Sequence, residues 1–125
     1  MITDKYVVAV VDDDPRLLES LQELLESAGY AVRSFPSALA LSRTGLSGID
    51  LLITDIGMPG LNGFELRELA NRERPDLPVF LITGRHELAE QIRASAVEGF
   101  FCKPFDGQAL LAAIARALTQ QGRGR

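Results

Sequence analysis

Short runs of β-branched and other apolar residues recur along this chain, and stretches with helical spacing separate them. Residues 6–11 (YVVAVV) are apolar throughout, the pattern of a strand buried on both faces. Leu17, Leu18, Leu21, Leu24, Leu25 and Ala28 follow on one helical face, and Gly29 is placed to end that helix. Ala31–Phe35 (AVRSF) predicts a second strand, and Ser37 a cap for a short helix carrying Ala38, Leu39 and Leu41. Residues 49–55 (IDLLITD) predict a third strand, and the loop 57–63 (GMPGLNG) is dense in turn formers. A helix over about 64–72 stops before Pro75, and Val79–Thr83 (VFLIT) predicts a fourth strand. Ala89, Ile92, Arg93 and Ala96 mark a weak helix, and Phe100–Cys102 a short fifth strand. Asp106 can cap a last helix with Leu110, Leu111, Ile114, Ala115 and Leu118 inward. Five strands alternating with five helices predict an α/β fold: a doubly wound parallel sheet with helices on both faces, joined by right-handed crossovers.

Length and composition agree. The chain has 125 residues, suited to one domain, and 46% are hydrophobic, enough for a core. The expected division is a domain over 1–120 and a polar tail or linker start over 121–125 (QGRGR). The net charge of −4 argues against direct nucleic-acid binding, which needs a basic face. One cysteine, Cys102, excludes an internal disulfide and reads as a buried hydrophobe. His86, the single histidine, cannot build a metal site alone and reads as a surface loop residue. The start lacks a signal-peptide pattern, and no stretch approaches the ~18 apolar residues of a membrane helix. The expectation is a cytoplasmic protein, or a fragment of one, without a membrane partner.

In a parallel doubly wound sheet, reactive groups gather at the carboxyl ends of the strands. Here those ends hold Asp12, Asp13 and Asp14 after the first strand, Asp55 at the third, Thr83 at the fourth and Lys103, before Pro104, after the fifth. Carboxylates brought together need a counter-charge. Mg²⁺ suits them, since it prefers oxygen ligands. Asp12, Asp13 and Asp55, with a backbone carbonyl such as that of Gly57, make a plausible ligand set. One Asp55 oxygen then remains for nucleophilic attack on phosphorus, giving an aspartyl phosphate. Lys103 and Thr83 can each face a peripheral oxygen of the transferring group. Asp14, directly before Pro15, reads as a helix N-cap.

These residues resemble the receiver domain of two-component response regulators over essentially the whole chain. The carrying motifs are VVDDD at 10–14, ITDIGMPGLNG at 53–63, LITG at 81–84 and KPF at 103–105. The resemblance implies a CheY-like, flavodoxin-like (βα)5 fold of strand order 2-1-3-4-5. It implies that Asp55 is the phosphoacceptor, that Asp12 and Asp13 are the acidic metal pair, that Thr83 and Phe100 are switch residues and that Lys103 faces the phosphate. It also implies a signalling switch: a sensor histidine kinase or phosphotransfer protein as donor, self-dephosphorylation in place of steady turnover, and homodimerisation through the fourth helix, fifth strand and fifth helix. The ITG and KPF forms look similar to regulators with a helix-turn-helix, DNA-binding output domain, expected beyond this chain. Departures from the common pattern are Gly57, Gly84, Arg85 and the run 95–99 (SAVEG), which bear on the lifetime of the phosphorylated state.

Two rival classes stay open on the sequence. A haloacid-dehalogenase-type phosphatase would use the D-x-D spacing of Asp12 and Asp14, although Pro15 stands where threonine or valine is expected and the chain is short. A non-phosphorylated interaction module could use the same fold.

Overall fold

The computed structural model describes residues 5–57, 63–83, 100–102 and 106–120. Five strands form one parallel sheet: β1 (Val7–Val11), β2 (Ala31–Phe35), β3 (Leu51–Asp55), β4 (Val79–Thr83) and β5 (Phe100–Cys102). Their spatial order is β2-β1-β3-β4-β5, the predicted doubly wound arrangement. The described helices are α1 (Pro15–Ser27), α2 (Ala38–Thr44), α3 (Gly63–Glu73) and a C-terminal helix (Gly107–Gln120). The helix expected around Ala89 to Ala96, His86, Lys103 and the tail over 121–125 lie outside the described residues, as do the side chains of Phe100 and Cys102.

Strands β1, β3 and β4 read as largely apolar runs because both faces of the sheet are covered there, whereas the edge strand β2 carries Arg33 and an exposed Ser34. Side chains alternate along each strand and sort into two layers. Val8, Val10, Leu51, Ile53, Phe80 and Ile82 pack with Leu21 and Leu25 of α1 and Leu110, Ile114 and Leu118 of the C-terminal helix. Ala9, Val11 and Leu52 point the other way, against Ala38 and Leu41 of α2 and Leu66 and Ala70 of α3. Leu110, Ile114 and Leu118 recur every four residues, one stripe of a helix. Each fully buried leucine or isoleucine contributes about 1.5–3 kcal/mol. Ala28 and Ala115, expected inward, are exposed: Ala28 is the C-cap of α1, past its last turn, and Ala115 lies one position around the helix from Ile114.

Local signals set where α1 begins and ends. Asp14 is extended at φ −97° and ψ 109°, its side chain accepts from the Arg16 N–H, and Pro15 follows at the first helical position. At the other end Gly29 takes φ 96°, with its N–H bonded to Glu26 O at 3.0 Å and the Tyr30 N–H to Leu25 O at 3.1 Å. This is a Schellman closure, and it needs a residue that tolerates positive φ. Ser37 caps α2 through the Ala40 N–H at 3.1 Å, and Asp106 accepts from the Gln108 N–H at 2.9 Å to cap the C-terminal helix.

The third strand begins at Leu51, two residues later than the apolar pattern predicts. Ile49 closes a turn onto Leu46 O, and Asp50 acts as a clamp: its N–H donates to Val7 O at 2.8 Å while its carboxylate accepts from the Val7 N–H at 2.8 Å. Arg74, just after α3, donates to Leu46 O at 2.9 Å and Ile49 O at 3.1 Å and grips Asp76 through two bonds of 3.1 and 3.0 Å. Its hydrogen bonding to Asp76 pushes the Arg74 guanidinium above its ordinary pKa, with burial opposing.

Candidate metal and phosphoacceptor site

β1 and β3 are neighbours, and their register pairs Val11 with Thr54. The next residue on each strand is an aspartate, so Asp12 and Asp55 stand side by side at the carboxyl edge. Ladder-type bonds run just past the paired residues: the Asp12 N–H donates to Phe35 O at 3.2 Å and the Ile56 N–H to Ile82 O at 2.9 Å. The backbone around both acids is therefore held by the sheet. Asp12 is wholly buried, Asp55 is 7% exposed and Asp13 is exposed. Each of the three offers a carboxylate oxygen within 4.8 Å of the others. Three like charges in that space repel unless a cation neutralises them.

Asp12 Oδ1 accepts the Asp14 N–H at 2.8 Å, which orients that carboxylate. Gly57, two residues beyond Asp55, is exposed, and it lies beside the acids in sequence. Thr83 is 1% exposed at the end of β4. The β3–β4 register pairs Asp55 with Ile82, so Thr83 lies one residue beyond the level of Asp55 on the adjacent strand. Phe100 pairs with Leu81, which places its backbone two residues below Thr83 on the next strand over. Lys103, the expected cation, directly follows β5 in sequence and lies outside the described residues. Among the described residues no buried side-chain nitrogen or oxygen lacks a hydrogen-bond partner.

The donor set fits Mg²⁺. It consists of carboxylate oxygens, the hard ligands this ion prefers, and opposite ligands of an octahedral Mg²⁺ stand about 4.2 Å apart, a spacing the three aspartates can meet. The mixture of buried Asp12 and Asp55 with exposed Asp13 leaves one side of the cluster open to solvent. Sequence reading missed the Asp12–Asp14 link and the Asp50 and Arg74 clamps. Aspartate accepting the N–H two residues on is a known local motif, and it could have revealed the first. The clamps depend on partners 25 to 43 residues away and have no local signature.

A five-stranded doubly wound sheet with clustered acids at its carboxyl edge defines the class of CheY-like receiver domains. A family profile for the response regulator receiver domain matches residues 8–115, and the chain belongs to that family. It is 37% identical over 123 residues to the transcriptional regulatory protein FixJ of Azorhizobium caulinodans, covering 93% of this chain and 58% of FixJ. It is 37% identical over 114 residues to the C4-dicarboxylate transport transcriptional regulatory protein DctD of Pseudomonas aeruginosa, covering 89% of this chain and 25% of DctD. Among solved structures, a response regulator receiver domain protein from Clostridium thermocellum superposes with a TM-score of 0.83 at 28% identity, covering 96% of this chain and 99% of that one. Full-length FixJ from B. japonicum superposes with a TM-score of 0.79 at 32% identity, covering 95% of this chain and 60% of that one. The chain thus spans between a quarter and three fifths of these curated regulators. Receiver domains are phosphoacceptors that generally bind Mg²⁺ at an acidic pocket and signal to output domains. The phosphatase and the non-phosphorylated module gain no support from these relatives.

Proposed function

We propose that this domain accepts a phosphoryl group on Asp55 from phosphohistidine of a sensor histidine kinase or phosphotransfer protein. Asp12, Asp13, Asp55 and the Gly57 carbonyl would hold Mg²⁺. When bound, the ion offsets the charge of the aspartates and of the phosphoryl oxygens. An Asp55 oxygen attacks phosphorus as the P–N bond to the donor imidazole breaks, and the electron pair leaves with that nitrogen, which takes up a proton. Lys103 and the Thr83 hydroxyl each face a phosphoryl oxygen. Hydrolysis later returns the carboxylate, so the domain is a stoichiometric switch and not a turnover enzyme.

In this reading Thr83 moves toward the phosphoryl group and Phe100 turns inward. The surface of the fourth expected helix, β5 and the C-terminal helix then shifts between two states. That surface controls homodimerisation or an output domain, DNA-binding by analogy with the regulators this chain resembles. Residues 1–120 form the switch and 121–125 begin a tail or linker. The setting is the cytoplasm, where such kinases present their phosphohistidine; no described helix is long and apolar enough to cross a membrane.

The observation that carries the proposal is the convergence of Asp12, Asp13 and Asp55 at one edge, within a chain of this family. The test is incubation with a small acyl phosphate and Mg²⁺, read by intact mass. One phosphoryl group per chain is expected, lost in Asp55→Asn and after chelation of the metal. Undiminished labelling of Asp55→Asn would overturn the assignment.

A further inference from the structure

We propose that Asp14 is a positioning residue for Asp12, coupling the first turn of α1 to metal affinity; the inference rests on Asp12 being a Mg²⁺ ligand. Two consecutive hydrogen bonds carry it. The Asp14 N–H donates to Asp12 Oδ1 at 2.8 Å, and Asp14 Oδ1 in turn accepts the Arg16 N–H at 3.0 Å. The Arg16 guanidinium also bends back toward the same Asp14 oxygen, with Nε at 4.0 Å. Asp14 therefore spends its carboxylate on the start of α1 and is absent from the trio whose oxygens converge.

The direction of the Asp14 N–H is set by the peptide plane between Asp13 and Asp14. That plane is fixed by where α1 starts. The start depends on Pro15, whose ring restricts φ, and on the Asp14 cap. Removing the cap frees residues 12–14 to sample other conformations, and Asp12 then has to be ordered when metal binds. Groups that orient a ligand through a hydrogen bond commonly change metal affinity by 10–100-fold. Linkage requires the reverse effect: metal that fixes Asp12 must also stabilise the first turn of α1.

Substitution separates orientation from charge. Asp14→Ala removes both the acceptor and a negative charge, whereas Asp14→Asn removes the charge and keeps a capping oxygen. Isothermal titration with Mg²⁺ on the full chain should show the dissociation constant rising about tenfold in Asp14→Ala and staying within about twofold of the parent in Asp14→Asn. Equal weakening in both variants assigns the effect to charge and overturns the proposal, as does no weakening in either. Amide hydrogen exchange on the unsubstituted chain tests it without relying on a variant that folds. Mg²⁺ should slow exchange at the Asp14 and Arg16 amides and leave Ala40, the equivalent amide under the Ser37 cap, unchanged. Unaltered exchange at Asp14 and Arg16 in a chain that binds Mg²⁺ overturns the coupling alone. A parent chain that binds no Mg²⁺ overturns it together with the metal-site reading.

Discussion

At the amino edge of the sheet, charges meet opposite charges and backbone dipoles. Arg74 holds Asp76 in a two-bond pair and also caps the carbonyls of Leu46 and Ile49, while Asp50 takes the Val7 N–H. At the carboxyl edge, Asp12, Asp13 and Asp55 bring like charges within 4.8 Å. The same strands supply both edges, so the strands themselves do not explain the contrast. The amino edge is arranged for stability, and in the proposed reading the carboxyl edge gathers like charges so that a cation and a phosphoryl group could be held there. Groups at the first edge should therefore lower stability when removed and leave metal binding alone. Charges at the second should do the opposite.

The largest effect belongs to Arg74. Arg74→Ala removes the donor from two partly buried carbonyls and the two-bond pair with Asp76. The expected cost is about 3 kcal/mol, a fall in Tm of about 10 °C, with the Mg²⁺ dissociation constant unchanged. Calorimetry paired with metal titration checks both halves, and a matching loss of metal affinity would break the contrast. The clamp should not weaken with rising pH. The folded pKa of Arg74 lies above its ordinary value, so its contribution is fully present below the unfolded value and is lost only as pH rises through the raised one.

Asp50 comes next. Asp50→Ala leaves the Val7 N–H, at the first residue of β1, without its acceptor. A loss of about 1–2 kcal/mol is expected, measurable as a lower urea midpoint at unchanged slope. Asp50→Asn retains an acceptor oxygen and should recover most of it. Failure of that recovery would show that the charge of Asp50, and not its hydrogen bond, is what the amino edge uses.

The same contrast explains what the sequence made legible. Strands β2, β4 and β5 were readable to the residue: β4 is a largely buried apolar run, β2 is a mixed run at the sheet edge between Gly29 and Pro36, and β5 is a short apolar run between Gly99 and Lys103. The acid cluster was readable for a related reason: a parallel sheet lines up its carboxyl ends, so Asp12 and Asp55 could be placed together without knowing any side-chain contact. The start of β3 was misjudged by two residues. Ile49 looks like strand, yet it serves a turn whose carbonyl is bound by Arg74 from beyond α3. In the sequence, Arg74 before Pro75 signals only the end of a helix. Asp14 was legible as a cap, and its hold on Asp12 was not, because that bond uses the backbone N–H and depends on how the chain turns into α1.

The central claim is that the carboxyl edge carries repulsion that metal relieves, and Asp13 tests it most directly because it is exposed. The measurement is Tm for the parent and for Asp13→Asn, each with and without Mg²⁺. Removing one of three crowded charges should stabilise the metal-free protein by about 1 kcal/mol, a rise of about 3–5 °C, and should abolish most of the gain that Mg²⁺ gives the parent. A metal-free Asp13→Asn protein no more stable than the parent, or one that keeps the full Mg²⁺ gain, would contradict it.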